Sequence, residues 1–210
     1  MPAAISARIA PVPAMYQLLM GSQKWGKALL PQGLISSPYE VLDYDATLTI
    51  FDAHGCKATF NRTQQVRFLQ QGVEAIMDHA WGDGVLVTNY HHSAGLVKDS
   101  FKDQGYRHLI VGLKRPMSKG EILKFSVERK AMVGFLKSEE WLETRVDHPI
   151  DRLRRTILFP KDRPCQRAVL EIGAAELVMP IIQLLNGQTL VRFTIVPPTP
   201  GTPYIIRWSW

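Results

Sequence analysis

Cysteine is scarce in this chain, with only Cys56 and Cys165 in 210 residues. A domain of this length buries enough apolar surface to need no covalent staple, so both are read as reduced thiols and the protein as cytoplasmic. No apolar run reaches the roughly 18 to 20 residues that a membrane-spanning helix requires. Residues 1–13 lack the basic start, apolar centre and cleavage site of a secretory signal, and read as a loose leader. Catalytic patterns are missing too. There is no GxSxG elbow, no GxGxxG or GxxxxGK[ST] loop to present backbone amides to phosphate, and no HExxH or CxxC spacing. These absences weigh against the common enzyme classes, and neither a cofactor nor a metal is expected.

What the sequence has is alternation. At 46% hydrophobic and 21% charged residues the chain belongs with globular proteins rather than disordered ones. Leu42, Tyr44, Ala46, Leu48 and Ile50 alternate with Asp43, Asp45, Thr47 and Thr49, the period-2 signature of a strand with one buried face. Leu123, Phe125 and Val127 repeat the pattern, as do residues 142–146. So do Leu153, Ile157 and Phe159, and finally Tyr204, Ile206, Trp208 and Trp210. Asp52 to Gly55 and Asn186-Gly187 read as hairpin turns, because glycine supplies the positive φ such turns need. Further strands are expected at residues 85–90, near Leu109, Val111 and Leu113, and near 168–172. Ser100 to Tyr106 reads as an exposed loop. Strands at spacings of roughly 8 to 14 residues, without βαβ alternation, predict a mainly β chain: an antiparallel β-sandwich, or alternatively a barrel.

Helix is expected in few places. Met15, Leu18, Leu19, Ser22, Trp25 and Leu29 recur at helical spacing and predict an N-terminal helix from Pro13 to about Leu30. Residues 63–80 read as a short strand followed by a helix, since Val66, Leu69, Val73, Ile76, Met77 and Ala80 also fit a helical face. Pro180 argues against a helix over 174–185. The expected organisation is a leader and helical segment over 1–38, then a β-sandwich domain over 39–210.

The formal charge is +6, and much of the excess gathers between Arg145 and Arg167. Arg152, Arg154, Arg155, Lys161, Arg163 and Arg167 form a basic stripe that would suit an acidic partner or nucleic acid; arginines on a solvated sheet face also serve solubility. Trp25, between Lys24 and Lys27, marks the N-terminal segment as a second docking candidate. The region from His79 to His92 gathers Asp78, His79, Trp81, Asp83, Tyr90, His91 and His92, residue types that bind metal or move protons. However, His91 and His92 are adjacent and would point to opposite faces of a strand.

Several stretches carry a resemblance: 68–73 leading to 78–84, then Glu140-Trp141, 147–149, 159–164 and the closing Arg207-Trp208-Ser209-Trp210. Together they resemble an uncharacterised bacterial β-rich domain usually found at the C-terminus of larger signalling or defence-type proteins. The resemblance carries over no activity and no site residues; the leading expectation is a non-enzymatic accessory or sensing module in a bacterial multi-component system that binds a partner protein through its basic face or its N-terminal segment. The alternatives are a nucleic-acid-binding subunit using the basic strand face and a metal-dependent hydrolase around His79, His91 and His92.

Overall fold

The structure, a computed structural model, describes residues 5–9, 38–80, 85–103, 106–146 and 149–210. Their strands in chain order begin with β1 (Ile5–Ile9), β2 (Tyr39–Ile50), β3 (Lys57–Phe68), β4 (Val73–Ala80) and β5 (Val85–His92). Next come β6 (Gly95–Asp103), β7 (Tyr106–Met117), β8 (Ile122–Met132), β9 (Glu139–Val146) and β10 (Arg152–Phe159). The last are β11 (Arg167–Ile172), β12 (Ala175–Val178), β13 (Ile182–Gln183), β14 (Thr189–Ile195) and β15 (Pro203–Ser209). The chain is mainly β, as the alternation predicts, and no helix is formed among the described residues.

Three sheets arise, and none closes on itself among the described residues. One has the order β1-β9-β15-β11-β12, a second β13-β14-β10-β2-β3-β8-β5, and a third β4-β7-β6. Most neighbours are antiparallel; β1 runs parallel to β9 and β10 parallel to β2. One core draws on all three sheets, including Leu48, Phe68, Val111, Ile157, Ile206 and Trp208. The five- and seven-stranded sheets meet through aromatic rings, with Trp208 packed 5.8 Å from Phe159 and Tyr204 stacked 6.4 Å from Phe193. Tyr204, Ile206, Trp208 and Trp210 are all buried on one face, as the sequence spacing requires. Both expected hairpins form, with Gly55 at φ +70° and Gly187 at φ +83°. The two cysteines are free, and burial pushes the Cys165 thiol up to about 11.

Three expectations are corrected. The helix expected within residues 63–80 is strand β4, reached from β3 by a turn with Gly72 at φ +74°. The misleading signal has a physical origin, because both faces of β4 are covered. Ile76 joins the main core, while Ala75 is buried in a second cluster with Tyr39, Met77 and Ile110. Adjacent apolar residues then mimic helical spacing. The polar stretch from Ser100, expected as a loop, continues β6 to Asp103; it is an edge strand of the small sheet, where polar residues are usual. Within the supposedly loose leader, β1 pairs with β9 from Ile5↔Leu142 to Ile9↔Val146. The expected helix at 13–30, and Trp25 with it, lies outside the described residues.

Candidate functional site

The outer face of the five-stranded sheet carries a recess of about 220 Å³. Its composition follows from strand register. Trp141 on β9 stands opposite Arg207 on β15, which stands opposite Val169 on β11, which pairs with Val178 on β12. Beside this row lies Glu139–Ser209–Arg167, and on the other side Glu143–Ile205–Glu171–Glu176. Within the lining, Glu139, Glu171 and Glu176 set three carboxylates against the two guanidiniums of Arg167 and Arg207, while Glu140, in register with Trp208, is buried and accepts from the Lys137 N–H at 2.8 Å. Arg207 is already committed to an ion pair with Glu171. The recess is therefore an acidic spot on a basic chain, with the Trp141 indole and Val169 as its apolar part.

It opens at a sheet edge. Among the described residues β12 is the terminal strand of its sheet, and all four of its residues are exposed, Leu177 by 50% and Val178 by 77%. The chain then becomes β13, a terminal strand of the seven-stranded sheet, with Ile182 and Leu185 also exposed. A strand end with unpaired backbone groups and apolar side chains is a template for another chain.

The basic stripe expected from the sequence does not form one surface. Arg152 donates to Asp43 at 2.8 Å and Arg154 to Asp45 at 3.2 Å, because β10 lies in register beside β2. Arg155 is 1% exposed and faces the interior, a correction to its expected place on the surface. Arg163 lies 3.9 Å over the Trp210 ring and donates to the carbonyls of Ala53 and Lys137. Lys161 and Arg167 are exposed, and Arg167 lines the recess. The stripe failed because a strand's neighbours cannot be read from its own sequence. Arg155 was legible: it shares parity with Leu153, Ile157 and Phe159.

A polar layer runs through the core instead. Asp78 on β4 is buried and accepts from Arg62 at 2.9 Å and from the Tyr90 hydroxyl at 2.8 Å. Burial, with the Asp78 charge adding to it, raises the Tyr90 hydroxyl far above its ordinary value. Among the described residues no three metal-ligating side chains converge. His91 is exposed whereas His92 is buried and stacked 4.6 Å from Phe125, so the two do fall on opposite faces. Asp78 and Tyr90, singled out beside the histidines, thus belong to a core network.

His92 gives the protein a pH dependence. Its Nδ1 accepts the Ala94 N–H at 3.2 Å, and burial depresses its pKa from 6.5 to about 4. In the unfolded chain it titrates near 6.5, so between about pH 6.5 and 4 the unfolded state binds a proton that the native state refuses. Stability is then complete above pH 6.5 and falls as pH drops toward 4, by up to about 3 kcal/mol. Urea unfolding at pH 7 and pH 4.5 should show this loss, and His92→Gln should remove that part of the slope.

No protein-family model and no curated protein matches the sequence. Solved structures do match. The M1 zinc metallopeptidase from Deinococcus radiodurans, in a substituted form bound to a Tyr-Ser-Ala substrate, superposes with a TM-score of 0.51 at 15% identity, over 81% of this chain and 43% of that one. A protein of Parabacteroides distasonis, proposed to be a protease, gives 0.53 at 9% identity, over 84% and 41%. At such identities, and over less than half of those chains' length, what this chain shares with them is its fold.

Proposed function

We propose that the chain is a non-enzymatic β-sandwich module that binds a partner protein, as an accessory or sensing unit in a bacterial signalling or defence-type system. The partner docks an extended segment along β12 and places a lysine or arginine side chain in the recess. One observation carries this reading. The acidic recess and the edge of β12, unpaired among the described residues, are continuous, sharing Glu176 and the row that ends at Val178. Added-strand binding draws affinity from backbone hydrogen bonds and specificity from alternate side chains, and here the alternate positions beside β12 face Glu176 and Val178. The favoured surface therefore differs from the basic strand face, whose arginines are largely engaged. The likeness to zinc metallopeptidases is one of fold.

Isotope-labelled protein titrated with capped heptapeptides tests this. A peptide alternating lysine and valine should shift the amides of residues 175–178 and the Glu176 side-chain signals. Glu176→Lys should weaken it at least tenfold, and a glutamate–valine peptide should leave these signals in place. No shift at 175–178 with the lysine peptide overturns the docking. Shifts centred on Arg152, Arg154 and Lys161 with single-stranded DNA, falling steeply with salt, would install the nucleic-acid reading in its place.

A further inference from the structure

The interior of the seven-stranded sheet holds more positive charge than its described neighbours neutralise. In register across four strands lie Arg155 on β10, Ala46 on β2, Arg62 on β3 and Val127 on β8. One pair along the strands, Phe60 stands opposite Leu48 and Arg129. Three guanidiniums thus gather around Phe60 and Tyr44, with only the methyl group of Ala46 between the two in the same row. Arg129 lies 4.5 Å and Arg155 5.1 Å from the Phe60 ring centre, and Arg155 lies 5.4 Å from that of Tyr44.

Their partners are unequal. Arg62 is neutralised by Asp78, whose charge also acts on Arg129. Among the described residues Arg155 has no carboxylate partner. Its Nε donates to the Thr144 hydroxyl at 2.7 Å, but Nη1 and Nη2, both buried, find no acceptor there. The Tyr44 hydroxyl, on a residue 1% exposed, also lacks a partner among the described residues, as does Nε of Arg62. A guanidinium cannot shed its proton at any working pH, and an uncompensated buried charge costs several kcal/mol. The two aromatic faces offset part of that cost, and a negative charge would offset the rest.

We propose that Arg155 and Tyr44 form a buried binding site for a small monovalent anion of halide size. Nη1 and Nη2 of Arg155 and the Tyr44 O–H donate to it, and Arg62 and Arg129 contribute attraction at longer range. A halide has only about the volume of one ordered water and needs no channel wider than local breathing of the sheets. Such an anion binds the folded state alone, and so stabilises it by mass action.

Chloride is the probe. The thermal midpoint should rise by several degrees when sodium gluconate is replaced by sodium chloride from 1 to 300 mM at constant ionic strength. Bromide should substitute and appear beside Arg155 by anomalous scattering. Arg155→Met, apolar and similar in shape, should be insensitive to chloride. If that variant does not fold, Tyr44→Phe serves, with an apparent chloride affinity weakened about tenfold. Equal midpoints in gluconate and chloride for the unmodified protein would overturn the proposal. So would a chloride dependence that survives unchanged in Arg155→Met or Tyr44→Phe, since it would then be a general salt effect.

Discussion

Asp78→Ala is expected to lower stability by about 3 to 5 kcal/mol, the range for removing one partner of a buried ion pair. The loss is large because the carboxylate serves three groups: it accepts from Arg62 and from Tyr90 and attracts Arg129. Removing it strands Arg62 in an interior already rich in cations. A guanidinium chloride titration gives the loss as a drop in midpoint with little change in slope. Arg62→Met in the Asp78→Ala background should recover a sizeable share, because the stranded charge goes with it. Tyr90→Phe alone should cost about 1 kcal/mol, one hydrogen bond's worth. If Asp78→Ala cost no more than a surface change, the polar layer would not brace the core.

Gly55→Ala is the second. Gly55 sits at φ +70°, and a Cβ there would fall 1.6 Å from the Phe135 carbonyl oxygen. That carbonyl cannot simply retreat. Phe135 N–H donates to the Gly55 carbonyl at 3.1 Å, and Val133 N–H to that of Cys56 at 2.8 Å, so turn and crossing segment are tied together. Phe135 is itself buried against Trp208. Left-handed strain and overpacking together should cost about 3 kcal/mol. Gly72→Ala is the matched control, with φ +74° and nothing within 4 Å of the added carbon. It should lose only about 1 to 2 kcal/mol. The difference between the two melting curves isolates the clash.

Much of the fold was legible in the sequence, strand by strand. Alternation located β2, β8, β10 and β15, and the glycine turns located two hairpins, because period and turn chemistry are local properties. What stayed hidden was relational. The arginines of β10 read as a free basic stripe until β2 was found beside them, presenting Asp43 and Asp45. The recess takes its residues from β9, β11, β12 and β15, strands whose adjacency no single window of sequence contains. β4 concealed its nature because it is covered on both faces. Arg155 alone was misread although the sign was local, since its place in the alternation already put it with the core.

The pairing of β10 with β2 also bears on how the protein comes off the ribosome. Asp43 and Arg152 are 109 positions apart, and β10 is the strand that joins β2 to β14. A nascent chain that has emerged only as far as Val146 can pair β2 with β3 but carries the other side of β2 bare. Until the next dozen residues clear the exit tunnel, that side is open to any neighbouring polypeptide, and this interval is when the growing protein most needs a chaperone.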